Sequence, residues 1–139
     1  MIILDTNVVS EPMKINGAQA VVEWLDRQAA ETLYLTAVSL AELLVSVEMM
    51  PAGKRRDGIG AALGALMVRL FGARILPFDE NATKAYAALV ARARANGRAL
   101  SVADAQIAAI AAVTGFTVAT RDTAAFVAAG VPVLDPWRL

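Results

Sequence analysis

The sequence predicts an α/β fold with a central, mainly parallel sheet of four to five strands. Short β-branched or apolar runs alternate along the chain with long Ala-rich segments of helical period. Gly, Pro and capping residues lie between these segments, so the predicted ends of the elements agree with their periodicity. The 139 residues, 58% of them hydrophobic, are enough for one full core. No linker or repeat divides them, and we therefore expect a single domain over residues 1–139.

Five short runs are predicted as strands. Each is rich in β-branched or other apolar residues and is much shorter than the helical segments around it. In chain order they are Ile2–Leu4, Leu33–Thr36, Arg74–Leu76, Thr117–Thr120 and Val131–Leu134.

The helices of the first half are bounded by residues that favour helix ends. Asn16 is predicted to cap a helix over Gly17–Ala29. Thr36 or Ser39 is predicted to open an apolar helix that continues to Met49.

The second half contains three longer helical segments. Lys54–Phe71 is predicted as a helix that its three glycines weaken. Asp79 is predicted to cap Glu80–Asn96, and Ser101 to cap Val102–Thr114, and a glycine follows each of these two segments.

The composition excludes several classes of chemistry. The chain has no cysteine, which rules out disulfides, thiolate metal sites and cysteine nucleophiles and fits a reducing compartment. It has no histidine, which rules out Ser-His-Asp triads and the usual zinc and copper sites. Catalysis would therefore depend on carboxylates, hydroxyls, Lys, Arg or a bound ion.

Charge and hydropathy argue for a soluble cytoplasmic protein. The formal net charge is zero, which disfavours coating nucleic acid by bulk electrostatics but leaves room for a local basic patch. The longest uncharged apolar stretch, Gly58–Val68, is too short to span a membrane. The segment Met1–Asp5 lacks the basic region of a signal peptide.

Four acidic residues stand where an α/β chain would bury or cap something. Asp5 follows the first predicted strand and Asp122 follows the fourth, and open α/β sheets bind ligands at the carboxyl ends of their strands. Glu42 is the only charged residue between Thr36 and Val47, on a helix that is otherwise apolar. Clustered carboxylates raise one another's pKa or require a cation, and hard divalent metals are their common partners.

Each acid taken alone also has a plain structural explanation. Asp5 and Asp122 could cap the short segments that follow them, the latter over Thr123–Ala129. Asp104 lies three residues after Ser101, in a variant of the capping box. Ser39, Glu42 and Ser46 form one narrow polar stripe, which could face either solvent or a cleft. Only the four acids taken together therefore indicate a common site.

Four motifs, in this order and at these intervals, resemble the PIN-domain ribonucleases, and further segments resemble the VapC/FitB-like toxins of type II toxin–antitoxin pairs. The four motifs are Ile3-Leu4-Asp5-Thr6-Asn7, Ala41-Glu42-Leu43, Ala103-Asp104-Ala105-Gln106-Ile107-Ala108 and Ala119-Thr120-Arg121-Asp122. The further segments are Asp5–Glu11, Pro51–Arg56, Arg74–Asp79 and Asp135–Trp137. The resemblance covers essentially the whole chain and implies a PIN-like three-layer α/β/α domain.

The resemblance also implies roles for individual residues. Asp5, Glu42 and Asp104 would be catalytic metal ligands, and Asp122 would complete the cluster directly or through water. Thr6 and Asn7 would hold the Asp5 loop and the substrate phosphate, and Thr120 would be a hydroxyl partner in the cluster. Among the ten arginines, the candidates for substrate contacts are Arg55, Arg56, Arg92, Arg94 and Arg98.

The activity that the resemblance implies is hydrolysis of RNA phosphodiester bonds. One or two Mg²⁺ or Mn²⁺ ions would activate a water for in-line attack and leave 5′-phosphate and 3′-hydroxyl ends. The implied partners are the RNA substrate, a cognate antitoxin protein and a second copy of the chain, in a heterotetramer or larger complex.

Other functions were weighed against this one. A phosphoacceptor domain would usually have adjacent acids after the first strand and a Lys after the last, and the sequence has neither. A non-catalytic PIN-fold module that binds nucleic acid or protein would have lost some of the four acids. The set is intact here, which argues against such a module. DNA cleavage remains open because nothing in the sequence reads a 2′-hydroxyl.

Overall fold

The computed structural model describes all residues from Met1 to Leu139. Five parallel strands form one sheet in the order β3-β2-β1-β4-β5. The predicted α/β fold with a parallel sheet is confirmed. The strands are β1 (Ile2–Leu4), β2 (Leu33–Thr36), β3 (Ile75–Leu76), β4 (Thr117–Ala119) and β5 (Val133–Leu134).

Seven α-helices flank the sheet, together with short 3₁₀ segments at Glu11–Met13 and Ala30–Thr32. None of these helices is long and apolar enough to cross a membrane. The α-helices are α1 (Thr6–Ser10), α2 (Gln19–Arg27), α3 (Ala37–Glu48), α4 (Lys54–Leu66), α5 (Glu80–Ala95), α6 (Val102–Thr114) and α7 (Thr123–Ala128).

The sheet separates two hydrophobic clusters, because successive side chains of a strand point to opposite faces. Ile3 and Val118 belong to the cluster formed with α5, α6 and α7. Leu4 and Ala119, one residue further along the same strands, belong to the cluster formed with α1, α2 and α4. Helices therefore cover both faces, which gives the expected three layers.

Three predicted helix caps form as the sequence indicates. Thr36 accepts a hydrogen bond from the N–H of Ser39 at 3.0 Å, and Asp79 accepts one from Ala82 at 3.0 Å. Helix α6 ends at Gly115, whose left-handed conformation (φ 74°) is one that residues with a Cβ rarely adopt.

The amino-terminal end of α2 differs from the prediction. The helix begins at Gln19, and its cap position is Ala18 instead of Asn16. A side chain from an earlier turn takes over the capping role, because Glu11 Oε1 accepts a hydrogen bond from the N–H of Ala18 at 2.9 Å. The sequence pattern also missed helix α1 and the 3₁₀ turn after it, which are too short to show a period.

The predicted helix over Lys54–Phe71 is present but changes character. Its α-helical part ends at Leu66, and a π-helical turn over Met67–Phe71 follows. Phe71 is completely buried, so the wider turn ends with a large side chain in the core. The last strand is shorter than predicted, since only Val133–Leu134 pair with β4.

Candidate functional site

The site lies where the order of the strands reverses. Strand β1 is central, β2 and β3 lie on one side of it, and β4 and β5 lie on the other. Asp5 follows β1 and Asp122 follows β4, its neighbour. This edge is the usual ligand site of open α/β sheets. Helix α3 starts after β2 and carries Glu42, while α6 carries Asp104.

Asp5 is the most buried of the four acids, with 5% of its surface exposed. Its Oδ1 accepts a hydrogen bond from the N–H of Thr6 at 2.8 Å, which caps helix α1. Its Oδ2 accepts a hydrogen bond from the Thr120 hydroxyl, also at 2.8 Å. Asp5 therefore acts as a helix cap and faces the common site with the same carboxylate.

Thr120 is the centre of the hydrogen-bond network at this edge. The side chain is completely buried. Besides donating to Asp5, its Oγ1 accepts from Asn7 Nδ2 at 3.3 Å and from the N–H of Asp122 at 3.1 Å. These bonds tie the loop after β1 to the loop after β4, so that Asp5 and Asp122 are held in a fixed relation.

Burial and mutual repulsion raise the pKa of three of the carboxyls. Burial raises the pKa of Asp5 most, hydrogen bonds from Thr120 and Thr6 oppose the shift, and the charges of Asp104 and Asp122 add to it. Burial also raises the pKa of Glu42, and the charges of Asp5 and Asp104 contribute. The four acids therefore interact electrostatically across the edge, although they come from four distant segments.

The pKa of the Asp104 carboxyl is likewise raised by burial, opposed by the Ser101 hydroxyl, and raised further by the charge of Asp122. Ser101 caps α6 by accepting a hydrogen bond from the N–H of Asp104 at 3.1 Å. The Asp104 carboxylate does not return a bond to the backbone N–H of Ser101, so only half of the predicted capping box forms. The carboxylate is left facing the site.

The polar stripe of α3 divides into an interior and an exterior part. Ser39 is completely buried and accepts a hydrogen bond from the Thr36 hydroxyl at 3.2 Å. Glu42 and Ser46 are exposed, and both line a cavity of about 860 Å³ together with Thr6 and Asn7. The stripe therefore faces a cleft at the level of Glu42.

The side chain of Asp122 is exposed and forms no capping hydrogen bond with α7. Asp122 and Asp104 line a small cleft of about 280 Å³ with Arg98, which places this arginine beside the acids. Arg55 lines the larger cavity that contains Glu42. Each of these two arginines therefore lines a cleft that also contains one or two of the acids.

Two of the other candidate arginines are engaged elsewhere. Arg56 Nη2 lies 2.9 Å from Glu48 Oε2 in an ion pair. Arg92 donates to the carbonyl oxygen of Ala129 at 2.9 Å and packs against Gly130. Arg94 lies in the last turn of α5 and borders none of the clefts lined by Glu42, Asp104 or Asp122.

The acids offer only oxygen ligands, which suit Mg²⁺ or Mn²⁺. No three of their side chains converge closely enough in this arrangement to hold one ion together. Burial is the main cause of the raised pKa values of Asp5, Glu42 and Asp104, and the charges of neighbouring acids, which a cation would relieve, add to it. The donor set thus fits a hard divalent ion in its chemistry.

Three residues near this edge were not assigned a role from the sequence. Arg121 lies between Thr120 and Asp122, and its guanidinium carbon is 5.1 Å from the centre of the Trp137 ring. Glu11 is a buried acid that bonds Ala18. The position of Arg121 beside Asp122 in the sequence could have indicated a place near the site. Its contact with Trp137 depends on the tertiary fold and could not have been found in this way.

Comparison with known proteins identifies the family. A family model described as PIN domain matches residues 2–131. The chain is 51% identical over 138 residues to the plasmid stability protein StbB of Pseudomonas syringae pv. tomato. It is 47% identical over 138 residues to the VapC ribonuclease Y4jK of Sinorhizobium fredii. Each alignment covers 99% of both chains.

Solved structures agree with this assignment. The structure of FitAcB from Neisseria gonorrhoeae superposes with a TM-score of 0.95 at 43% identity and covers 100% of both chains. VapBC-5 from Mycobacterium tuberculosis, described as a member of the VapBC family of toxin–antitoxin systems, has a TM-score of 0.69 at 29% identity and covers 96% of this chain and 94% of its own. The chain belongs to the PIN-domain family, in the group of VapC- and FitB-like toxins, and the resemblance seen in the motifs is confirmed.

Proposed function

We propose that this protein is a divalent-metal-dependent endoribonuclease and the toxin of a toxin–antitoxin pair. The observation that carries the proposal is the placement of Asp5, Glu42, Asp104 and Asp122, from four distant segments, at the switch point of the sheet, near enough for their charges to interact. The 47% identity to a VapC ribonuclease supports RNA as the substrate. We assign catalytic and metal-binding roles to these four acids.

The chain itself prepares the site for an anionic substrate. Thr120 and the N–H of Thr6 fix both oxygens of Asp5, so that this carboxylate cannot rotate freely. The Asn7 amide lies beside them, bonded to Thr120, and can contact a phosphate oxygen or hold the loop. Arg98 supplies a cation at the cleft of Asp104. Together these side chains would orient the phosphodiester against the acids.

One or two Mg²⁺ or Mn²⁺ ions complete this proposal, since carboxylates alone would repel RNA. Asp5, Glu42, Asp104 and Asp122 would hold the ion, which would supply Lewis-acid charge for hydrolysis of the phosphodiester. The fit rests on an all-oxygen donor set and on the raised pKa values of three of its members.

The remaining parts of the proposal concern partners and organisation. We assign an antitoxin partner and a homodimer, in a heterotetramer or larger complex, in line with the relation to VapBC-5. We place the protein in the cytoplasm, with which the absence of cysteine agrees. A single PIN domain over residues 1–139 is supported by Leu134 and Trp137. Both lie beyond the region matched by the family model and pack against the hydrophobic cluster formed with α1, α2 and α4.

Cleavage of a small-RNA pool by purified, antitoxin-free protein tests this function. We expect discrete cuts with Mg²⁺ or Mn²⁺, and their loss with EDTA and with Asp104→Asn. The matched control is Asp26→Asn, which removes an exposed carboxylate in the last turn of α2, before the amino end of β2 and so at the opposite edge of the sheet. The control should cleave like the wild type.

Two outcomes would contradict the proposal. Folded, antitoxin-free protein that makes no cuts in the pool would favour a binding module over a nuclease. Cuts that persist in EDTA, or that Asp104→Asn leaves intact, would separate the activity from the acidic edge. A DNA pool treated in the same way decides whether the enzyme requires RNA.

A further inference from the structure

Arg121 is an exposed cation placed between two residues of the acidic edge. It follows Thr120 and precedes Asp122, and its side chain takes part in no ion pair. Its guanidinium carbon lies 5.1 Å from the centre of the Trp137 ring, within the range of a cation–π contact. The guanidinium donors are therefore not used by an ion pair, while the group lies over an aromatic ring.

The backbone of Arg121 is tied to Asp5 through a short chain of hydrogen bonds. Its N–H donates to Asn7 Oδ1 at 3.4 Å, and Asn7 Nδ2 donates to Thr120 Oγ1 at 3.3 Å. The Thr120 hydroxyl in turn donates to Asp5 at 2.8 Å. Arg121 is thus held in a fixed relation to the most buried acid of the site.

The Trp137 ring is itself held in place by the end of the chain. The N–H of Trp137 donates to Asp135 Oδ1 at 2.9 Å, and the N–H of Arg138 donates to the Asp135 carbonyl at 3.0 Å. The intervening Pro136 is buried, and Trp137 packs against the hydrophobic cluster formed with α1, α2 and α4. The ring is a fixed support and not a freely moving surface side chain.

Charge and geometry together point to an anion as the ligand of Arg121. Among the acids whose pKa is shifted, the charge of Arg121 acts on Glu11 alone, and Glu11 is already paired with Lys14 at 3.0 Å. A guanidinium stacked on a ring still presents donors at its edge, in the fork that suits a phosphate. RNA must approach four carboxylates at this edge, and a fixed cation beside them would offset that repulsion.

We propose that Arg121, supported by Trp137, binds a backbone phosphate of the RNA next to the bond that is cleaved. Arg121 is then a substrate-binding residue, and Trp137 is a positioning residue that acts through it. This inference rests on the proposed function for its substrate. It adds a contact that lies outside the acidic cluster and outside the clefts lined by Arg55 and Arg98.

The test measures RNA affinity against salt concentration. A contact between a protein cation and a single-stranded phosphate contributes about 0.7 to the slope of log affinity against log salt. Arg121→Ala should therefore lower that slope by about 0.7 and weaken binding about tenfold. Arg121→Lys should recover most of the slope, because it keeps the charge, but only part of the affinity, because it lacks the fork.

The probe is a fluorescein-labelled, mixed-sequence single-stranded RNA in Ca²⁺, and cleavage of the same RNA is followed in Mg²⁺. Arg27→Ala is the matched control, because Arg27 is exposed, takes part in no ion pair and lies before the amino end of β2, at the far edge of the sheet. It should leave affinity and slope unchanged. Trp137→Phe should bind as the wild type does, and Trp137→Leu should raise KM with little change in kcat.

The outcomes separate this inference from the proposed function. Wild type that cleaves RNA while Arg121→Ala keeps its affinity and slope would overturn the inference alone. Equal losses in Arg121→Ala and Arg27→Ala would overturn it too, since they would indicate bulk charge. If Arg121→Ala lowers only the affinity for the antitoxin, the inference is overturned, because Arg121 and Trp137 then belong to the antitoxin interface. Wild type that binds RNA through Arg121 but does not cleave it would overturn the proposed function, and with it the placement of the phosphate beside a cleaved bond, while supporting Arg121 as a contact to an RNA phosphate.

Discussion

Replacing Thr120 with valine should uncouple Asp5 from its support while keeping the shape of the core. Thr120 is completely buried, and valine fills nearly the same volume. The substitution removes the 2.8 Å bond to Asp5, the 3.1 Å bond from the N–H of Asp122 and the 3.3 Å bond from Asn7 Nδ2. A hydrogen bond to a charged group contributes about 1.5–3 kcal/mol and a neutral one about 0.5–1.5 kcal/mol. For one charged and two neutral bonds we expect a loss of roughly 2.5–6 kcal/mol in the free energy of unfolding at neutral pH.

The sign of the pH dependence follows from the causes of the Asp5 shift. The Thr120 hydroxyl lowers the pKa of Asp5 against the larger effect of burial, so its removal raises that pKa further. A hydrogen-bond donor stabilises the protonated Asp5 carboxyl less than it stabilises the carboxylate. The stability deficit of Thr120→Val should therefore be complete above the raised pKa and shrink as the pH falls through it.

Urea unfolding and RNA cleavage across a pH series measure both effects. The acid limb of the kcat/KM profile should move to higher pH, and on that limb the loss of 1.5–3 kcal/mol corresponds to a rate roughly 10- to 150-fold lower. Thr120→Ser keeps the hydroxyl and should leave the acid limb in place. An unchanged limb in Thr120→Val, with stability within about 0.5 kcal/mol of wild type, would refute this account of Asp5.

Further expectations follow from other contacts. Glu11→Ala should cost about 1–3 kcal/mol in urea unfolding. The bond from Ala18 lowers the pKa of Glu11 below 4.5, so the deficit should hold above that pH and close in acid; a constant deficit would disprove it. Gly17→Ala should destabilise by about 1–3 kcal/mol because its Cβ would lie 2.3 Å from the Glu11 carbonyl oxygen, whereas Gly58→Ala meets nothing within 4 Å and should stabilise slightly; equal unfolding midpoints would contradict this. Asp122→Asn should reduce RNA cleavage at least about tenfold with an unchanged unfolding midpoint, and a wild-type rate would remove this residue from the site.

Local features of the fold could be predicted because they depend on neighbouring residues. The caps at Thr36, Asp79 and Ser101 each use a side chain within three residues of the N–H that it accepts from. Strands β1 and β2 were placed at their observed bounds, with Asp5 ending the apolar run of β1 and Thr32 preceding that of β2.

Features that depend on distant parts of the chain could not be predicted in the same way. The start of α2 is set by Glu11, seven residues before the N–H of Ala18 that it accepts from, and the sequence indicated Asn16 instead. The pair formed by Arg121 and Trp137 joins the loop after β4 to the end of the chain. Glu11, Arg121 and Trp137 each lie in a motif segment, but no periodicity or spacing indicates which residues they contact.

The candidate site lies between these two cases. Residue types and order indicated the four acids, while the strand order that brings Asp5 beside Asp122 is known only from the fold. The capping explanations of Asp5 and Asp104 hold in part, because Asp5 caps α1 and Ser101 caps α6. Capping and a place in the cluster are therefore compatible for Asp5, which uses one oxygen for each.

Titration of Mn²⁺ into antitoxin-free protein is the measurement that most directly tests whether the four acids act as one metal-binding unit. Calorimetry should show uptake of one or two ions by the wild type, and Asp5→Asn, Glu42→Gln and Asp104→Asn should each weaken it strongly while Asp26→Asn does not. Uptake that these three substitutions leave unchanged, or no uptake by folded wild type, would contradict the account.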